Sequence, residues 1–295
     1  MTIQRIGILS IGEMGFNWAR LLISRGVEVL TYDKERSEIT RERSVNAGVR
    51  SVPSVSALLS ESDLVVSLVV PTAAKQVALD VVAGLSDSGK KDIFFLDANA
   101  ISPMTALQIG KEFSSHKVNF IDGCIIGSSA KLTQGTLIYV SGPEAERIKA
   151  LEQFGFSVRV LGDEIGQASA FKIIYAGLTK GLQSLMTELL VCAKNLELDN
   201  QLIEIFGERF PDVTKAAGRN IAALTVHAAR RAEEMEELGR TFQHYGLKSE
   251  MAPAARKVLE SIAALNLGQA STDGTRKGTL LETLKLFNDK GLLKN

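Results

Sequence analysis

The sequence predicts an α/β domain with a mostly parallel, doubly wound sheet, followed by an all-α domain that a long helix joins to it. Short β-rich runs alternate with helix patterns up to about residue 162, which is typical of strands linked by crossover helices. The run Asp63–Val70 is apolar on both faces, as in a buried parallel strand. Beyond Gly166 only helix patterns follow. We therefore predict domains at residues 1–162 and 163–295.

The composition is that of an ordinary soluble protein. The 295 residues are 45% hydrophobic and 23% charged, and 34 basic residues balance 34 acidic ones. A chain of this length can bury two cores, and its neutral charge disfavours nucleic acid and membrane surfaces as partners. No apolar run reaches the ~18 residues of a membrane span, and no secretion signal is evident. Two separated cysteines and three scattered histidines predict no disulfide framework and no metal site. We expect a cytoplasmic protein.

The first strand, helix and strand carry a dinucleotide-binding pattern. Residues 3–9 predict a strand, a helix pattern follows a glycine-containing turn, and the next strand ends at Asp33. Gly12 would let the backbone approach a pyrophosphate, and Gly15 would let the helix pack closely on the sheet. The helix N-terminus would supply amide donors. This pattern predicts a Rossmann-type unit in which the cofactor contacts Ile11, Gly12, Glu13, Met14 and Gly15.

The acidic residue after the second strand predicts the cofactor. Asp33 follows Gly12 by about 20 residues, where a carboxylate accepts hydrogen bonds from the adenosine ribose. Because a carboxylate repels a 2′-phosphate, we predict NAD, with NADP possible. Lys34 and Arg36 follow at once and either soften that preference or belong to a solvated loop.

Further residues are expected near the cofactor because ligands bind beyond the carboxyl ends of parallel strands. Two strands predicted at 63–70 and 93–97 place these residues there: Val69, Val70, Pro71 and Asn99. Asn99 is equally compatible with a loop cap. After a strand at 118–122, a loop at 123–129 would offer amides and hydroxyls to an anionic substrate group at Gly127, Ser128 and Ser129. A plain turn is the alternative there.

A helix pattern over 166–196 joins the two domains. Its apolar residues recur in steps of three or four, at Phe171, Ile174, Leu178, Leu182, Leu185 and Leu189. A second face carries Gly177, Gly181 and Ser184, where another helix could approach closely. Five more helices are predicted, at residues 202–210, 212–224, 226–245, 249–265 and 277–294. The last is amphipathic and could pack on a partner subunit.

The order of these segments resembles the β-hydroxyacid dehydrogenase superfamily, which includes 6-phosphogluconate and 3-hydroxyisobutyrate dehydrogenases. The resemblance spans nearly the full chain and rests on IGILSIGEMG, VVP at 69–71, DANAISP at 97–103, IDGCIIGSSAKLTQGTLIYVSG at 121–142 and GQASAFK at 166–172. It implies an NAD(P)-dependent oxidoreductase that acts on a small, carboxylated alcohol or ketone such as a 3-hydroxy acid. It also implies a homodimer.

The resemblance places Lys172 in the position of the family's catalytic lysine. Hydride transfer needs a group that takes the hydroxyl proton in oxidation and returns it in reduction. A lysine can do this when burial brings its pKa down from about 10.4. Tyr175 lies on the same helical face and could donate to the substrate oxygen, or be a core aromatic. Asn99 and Ser128 could hold a substrate carboxylate or hydroxyl.

The departures from the family pattern lie mostly in the substrate half. They are Ser10 for the first glycine, Asn99-Ala100 for Ser-Thr, Ile126-Gly127-Ser128 for Ser-Gly-Gly and Tyr175-Ala176 for a pair of asparagines. Two alternatives therefore stay open. One is an imine reductase of the same architecture, against which Lys172 counts. The other is a dinucleotide-binding sensor without turnover.

Overall fold

The computed structural model describes residues 2–34, 36–267 and 278–293. The chain forms two compact units, Met1–Lys172 and Ile173–Asn295. The predicted boundary at 162/163 therefore lies inside the first unit, which also contains the beginning of the joining helix. No helix among the described residues is both long enough and apolar enough to span a membrane.

The first unit is built on one eight-stranded sheet. The strands are β1 (Arg5–Leu9), β2 (Glu28–Thr31), β3 (Arg50–Ser51), β4 (Leu64–Ser67), β5 (Phe94–Asp97), β6 (Asn119–Ile126), β7 (Leu137–Ser141) and β8 (Ser157–Gly162). Their order is β3-β2-β1-β4-β5-β6-β7-β8. All neighbours pair in parallel except β6 and β7, which are antiparallel. The predicted fold class, an α/β domain with a mostly parallel sheet, is confirmed.

Helices cover both faces of this sheet. They are α1 (Glu13–Ser24), α2 (Glu38–Ala47), α3 (Val55–Glu61), α4 (Ala74–Ser88) and α5 (Pro103–Ser115). Alternate strand residues enter two different cores: Val66 of β4 packs in a cluster with Trp18, and Val65 packs in another with Phe113. Because both faces are covered, β4 is buried at every position, as its apolar run predicts.

The prediction of a loop at 123–129 is wrong for residues 123–126. β6 continues through Gly123 to Ile126, because these residues pair with β7 in the register Gly123↔Val140 to Ile126↔Leu137. Gly123 does not end the strand. A Cβ there would lie 2.9 Å from the carbonyl oxygen of Asp97, so glycine allows β5 to approach closely. The loop begins only at Gly127.

The second unit is helical, as predicted. Its helices are the larger part of α6 (Gln167–Asn195), then α7 (Asp199–Arg209), α8 (Pro211–Ala222), α9 (Leu224–His244), α10 (Met251–Ala264) and α11 (Leu280–Asp289). These match the predicted segments to within a few residues. The ends of the last predicted segment, residues 277 and 294, lie outside the described residues.

The small-residue face of α6 packs inside the second unit. A Cβ at Gly177 would lie 2.5 Å from Leu238 Cδ2 of α9, and Ser184 Oγ donates a hydrogen bond to the Ala255 carbonyl of α10 at 3.2 Å. Gly181 has open space instead. This close approach turns the leucine-rich face outward, and Leu178 is 64% exposed. The exposed face comprises Ile174, Leu178, Leu182, Leu185 and Leu189, and we call it the α6 stripe.

Candidate active site

The turn between β1 and α1 presents an open helix N-terminus. Gly12 is the N-cap of α1, and no side chain caps the helix there. A Cβ at Gly12 would meet no atom within 4 Å, so the approach to the first-turn amides is open. Unpaired amide groups at a helix N-terminus bind phosphate. The turn therefore fits the pyrophosphate of a dinucleotide.

Close packing holds this turn in shape. A Cβ at Gly15 would overlap the Ser10 carbonyl oxygen, so only glycine lets the helix lie this near the end of β1. Ser10 itself has φ +78°, in the left-handed region that favours glycine. The family's usual glycine at this position thus has a conformational reason, and serine there is strained by roughly 1–2 kcal/mol.

Asp33 lies at the carboxyl end of β2, next to β3. Its side chain is only 8% exposed, and Oδ1 accepts a hydrogen bond from Ser51 Oγ at 2.5 Å. Ser51, from β3, is a contact that the sequence did not indicate. Lys34 is exposed and Arg36 is half-buried. The carboxylate is therefore held in a fixed position at the end of the sheet.

A cavity of about 240 Å³ opens within the first unit beyond the carboxyl ends of β4, β5 and β6. Six of its lining residues were predicted site residues: Met14, Val69, Pro71, Asn99, Gly127 and Lys172. Four were not: Leu68, Ala98, Ala100 and Ile125. Each of these four adjoins or nearly adjoins a predicted residue in the sequence. Val70, also predicted, is 65% exposed and does not line the cavity. We call this cavity the strand-end pocket.

Asn99 hydrogen-bonds to the end of β4 and to the loop that follows it. Its Oδ1 accepts from the Val69 amide at 2.7 Å, and its Nδ2 donates to Ser67 Oγ at 2.9 Å. Its own amide donates to Asp97 Oδ1 at 2.9 Å. The side chain is buried and shapes the loop after β4. In this structure Asn99 therefore does what the loop-cap interpretation predicted, while still lining the pocket.

Lys172 reaches the pocket from the first turn of α6. Its Nζ donates a hydrogen bond to the Ile125 carbonyl oxygen at the end of β6. The side chain is half-buried. Tyr175 belongs to the second unit, where it is 45% exposed and not part of that unit's core.

The loop after β6 is tied to the glycine turn. Ser129 is buried, and its Oγ donates to Glu13 Oε1 at 2.5 Å. Ser128 Oγ instead accepts the Ala130 amide at 3.3 Å and caps a short 3₁₀-helix. Gly127, at φ +140°, lines the pocket and leaves no room for a side chain against Thr136. Of the three predicted substrate residues, only Gly127 faces the pocket.

Other chemistries have no support among the residues described. No group of three or more His, Cys, Asp or Glu side chains in those ranges could hold a metal ion. Cys124 is buried beside the site, and burial raises its thiol pKa to about 12. Because the thiolate is the nucleophile, Cys124 is unsuited to covalent catalysis.

Two carboxyl groups, Asp97 and Asp122, are fully buried side by side in the register of β5 and β6. Burial, with a smaller contribution from the neighbouring Asp122 charge, raises the pKa of Asp97 to about 7. Asp97 Oδ2 has no hydrogen-bond partner among the residues that the structure describes. Burial also raises the pKa of Asp122, but that group accepts several hydrogen bonds. We therefore infer that Asp97, rather than Asp122, holds a proton below about pH 7.

This assignment predicts a pH-dependent stability. The folded pKa of Asp97 exceeds its ordinary value of 3.8, so the folded state binds more protons between these values. The free energy of unfolding should fall as pH rises from about 4 to about 7, by a few kcal/mol at about 1.4 kcal/mol per pKa unit. Asp97→Asn should flatten this part of the profile, measured by urea denaturation at several pH values. An unchanged profile in the variant would contradict the assignment.

Fold and site together define an NAD(P)-binding α/β protein with a helical second unit. Residues 5–158 match the family described as the NAD binding domain of 6-phosphogluconate dehydrogenase, and residues 193–262 match a domain of unknown function, DUF1932. The chain thus belongs to the β-hydroxyacid dehydrogenase superfamily, as its sequence predicts.

Three similar proteins illustrate this membership. An uncharacterized 28.5 kDa protein of Methanothermus fervidus is 31% identical over 88% of this chain and 99% of its own length. The mitochondrial 3-hydroxyisobutyrate dehydrogenase of Drosophila melanogaster is 29% identical over 48% of this chain, and the match covers 43% of that enzyme. A solved conserved protein of unknown function, described as structurally similar to 3-hydroxyacid dehydrogenases, has a TM-score of 0.74 and 29% identity over 88% of this chain and 97% of its own.

Proposed function

We propose that this protein is an NAD(P)-dependent dehydrogenase or reductase that interconverts a small, carboxylated alcohol and its ketone, with Lys172 as general acid/base. The observation that carries the proposal is the strand-end pocket. It brings the Lys172 side chain together with Met14 of the glycine turn and with the loops after β4, β5 and β6. A proton-transferring group and a dinucleotide-binding turn thus line one cavity.

Each residue of the site has its own role in this proposal. Amide groups at the start of α1 hold the pyrophosphate, and Asp33 accepts from the adenosine ribose. The bound nicotinamide supplies the hydride acceptor or donor. Lys172 Nζ takes the substrate hydroxyl proton in oxidation and returns it in reduction. Its hydrogen bond to Ile125 keeps that atom at the pocket wall.

The pocket walls support a small substrate. Met14, Leu68 and Ala98 contribute apolar surface that limits water around the reacting atoms. Gly127 leaves the loop backbone open toward the cavity, where its amide is a candidate donor to a carboxylate. Tyr175 is proposed as a further donor to the substrate oxygen, from one turn beyond Lys172 on α6. Ser128 is proposed as a carboxylate ligand, although its hydroxyl caps a neighbouring turn in this structure.

NAD is the proposed cofactor in preference to NADP. The support is the position of Asp33, whose carboxylate is buried and fixed by Ser51 at the end of β2. A 2′-phosphate near this group would be repelled by the negative charge of the carboxylate. Lys34 and Arg36 are the candidate phosphate ligands if NADP is used instead.

A substrate screen tests the proposed activity. Purified protein is incubated with NAD⁺ and NADP⁺ against a panel of 2-, 3- and 4-hydroxy acids, and the absorbance of the reduced cofactor is followed. We expect oxidation of at least one acid. Reduction of cyclic imines with no activity on any acid would favour the imine reductase alternative. Dinucleotide binding without turnover on either panel would favour the sensor alternative.

A homodimer is proposed from the α6 stripe. Five large apolar side chains recur along one face of this helix and are between 36% and 64% exposed. Monomeric soluble proteins rarely expose contiguous apolar patches of this kind. A second copy that brings the same stripe would bury both, because twofold interfaces pair one patch with itself.

Charged substitutions within the stripe test the dimer. The double variant Leu178→Glu/Leu185→Glu should shift the protein from dimer to monomer, because each change would place a carboxylate in an apolar interface. The mass is measured by light scattering after gel filtration. The matched control is Lys257→Glu on the exposed side of α10, which should leave the mass unchanged. A wild-type mass of one chain would contradict the dimer.

A further inference from the structure

We propose that Asp122 is a positioning residue for Lys172: it fixes the first turn of α6 to β6, so that the lysine Nζ meets a defined point of the strand-end pocket. The inference rests on the proposed function for the role of Lys172 in chemistry. The attachment itself is a property of the first unit, because all residues that form it lie at or before Lys172.

The Asp122 carboxylate accepts hydrogen bonds from the start of α6. Its Oδ2 accepts from the backbone amides of Gly166 and Ser169, both at 3.0 Å, and its Oδ1 accepts from Ser169 Oγ at 2.6 Å. The first amides of a helix have no partner within the helix. Here a side chain from a neighbouring strand supplies that partner.

Ser141 of β7 completes this attachment. Its Oγ donates to Asp122 Oδ2 at 3.2 Å and accepts the Ala168 amide at 3.0 Å. Three amides of the first turn are therefore held by two buried side chains of adjacent strands, Asp122 and Ser141. A negative charge at this end of a helix also interacts favourably with the helix dipole. The polar groups that start α6 are thus fixed to the sheet without contact with solvent.

The same strand fixes the lysine. Lys172 follows Ser169 by one helical turn, and its Nζ donates to the carbonyl of Ile125, which follows Asp122 by three residues on β6. Three residues of a strand span about 10 Å, whereas one helical turn rises about 5 Å. The lysine side chain covers the difference, because its Nζ reaches the Ile125 carbonyl. The first turn of α6 and the Lys172 ammonium group are therefore both hydrogen-bonded to residues 122–125 of β6.

This arrangement separates Asp122 from the reacting atoms. Asp122 does not line the strand-end pocket, and within the described residues its oxygens accept hydrogen bonds from the start of α6 and from Ser141. The titratable groups nearest to it on adjoining positions are Asp97 on β5 and Cys124 on β6. Neither supplies a hydrogen bond to it. The hydrogen bonds of Asp122 therefore lead to the helix turn that precedes Lys172, and not directly to the pocket.

Competitive labelling with acetic anhydride tests the inference without a substrate. The reactivity of Lys172 is compared with that of Lys180, two turns further along the same helix, by peptide mass spectrometry from about pH 6 to about pH 10. Ser169→Ala removes the shortest bond to Asp122 and keeps the backbone amide. We expect Lys172 labelling to rise about 3- to 10-fold relative to Lys180, since a lost buried hydrogen bond loosens this turn. Asp122→Asn should have a larger effect.

Ser184→Ala is the matched control, because it removes a buried serine hydroxyl from α6 far from Asp122. It should leave the Lys172-to-Lys180 ratio unchanged. If Ser169→Ala and Asp122→Asn lower the melting temperature but leave this ratio unchanged, Asp122 is an ordinary structural anchor and the inference is overturned. If Asp122→Asn does not fold, the labelling ratios of Ser169→Ala and Ser141→Ala test the inference instead.

The labelling result is independent of the proposed activity. If Lys172 labelling rises in Ser169→Ala while a Lys172→Ala variant keeps full turnover, Asp122 positions Lys172 but Lys172 is not the general acid/base. If the Lys172-to-Lys180 labelling ratio is unchanged in Ser169→Ala while Lys172→Ala loses turnover, Lys172 is the general acid/base but Asp122 does not position it. Where a turnover assay exists, Ser169→Ala should lower kcat more than it raises KM and should shift the pH profile of kcat.

Discussion

Lys172→Ala is expected to lower turnover by about 10²- to 10⁴-fold, the range for a general acid/base in proton transfer. The expectation follows from Lys172 being the one lysine or arginine among the described residues that line the strand-end pocket, where its Nζ donates to the Ile125 carbonyl. The affinity for NADH should stay within a few fold of the wild-type value, because Lys172 is not part of the glycine turn. Steady-state rates on an acid from the screen and NADH titration measure the two quantities.

Lys131→Ala is the matched control for this variant. Lys131 lies in the loop after β6 but is exposed and does not line the pocket. It should turn over substrate at the wild-type rate. If Lys172→Ala also loses NADH binding, the lysine shapes the cofactor site rather than the chemistry, and the acid/base role must be abandoned.

The two glycines of the turn should respond in opposite ways when each is changed to alanine. Gly12→Ala places a Cβ in open space, so the free energy of unfolding should fall only by the cost of alanine at a helix N-cap, about 0.5–1 kcal/mol. The same Cβ would stand where a pyrophosphate must approach the backbone. The dissociation constant for NADH should therefore rise by at least about tenfold.

Gly15→Ala should mainly affect the fold. Its Cβ would overlap the Ser10 carbonyl oxygen, and the helix or the turn must shift at a cost of roughly 1–3 kcal/mol. Urea denaturation and NADH titration of both variants separate the two effects. Equal loss of stability in the two variants, or unchanged binding in Gly12→Ala, would contradict the placement of the dinucleotide at this turn.

The architecture of the first unit could be predicted because its signals are local. The run at β4 is apolar on both faces, and the glycine turn with Asp33 has the spacing of a dinucleotide-binding unit. Each of these features depends on neighbours in sequence. The prediction is wrong at Gly123, where the glycine indicates the beginning of a loop but the strand continues. The actual reason for that glycine is contact with β5, which comes from a distant segment.

The contacts that shape the site could not be predicted, because they join residues far apart in sequence. Asn99 lies beyond β5, where the strand pattern puts it, but its bonds to Ser67 and Val69 depend on the pairing of β4 with β5. The Ser129–Glu13 hydrogen bond spans more than a hundred residues. Nothing in the periodicity of either segment indicates such a partner.

The long helix shows how periodicity alone can indicate the wrong face. Its regular leucine spacing is typical of a core-facing stripe, yet Leu178 and its neighbours are exposed. The face with Gly177 and Ser184 packs on α9 and α10 instead, because small residues let helix backbones approach. Which face enters the core is decided by the partner helices. The small residues of α6 did indicate a close helix approach on their face, but the pattern did not indicate that the leucine face would stay exposed.

A titration of the protein with NADH and then NADPH tests the central claim most directly, followed through the emission of Trp18. This is the chain's only tryptophan; it is fully buried on α1, one turn beyond Gly15. Energy transfer from Trp18 to the reduced nicotinamide should quench its emission. We predict saturable quenching by NADH and weaker binding of NADPH, because of Asp33. Tighter binding of NADPH would make Lys34 and Arg36 the phosphate ligands and reverse the cofactor preference. Binding of neither dinucleotide would contradict the proposed function.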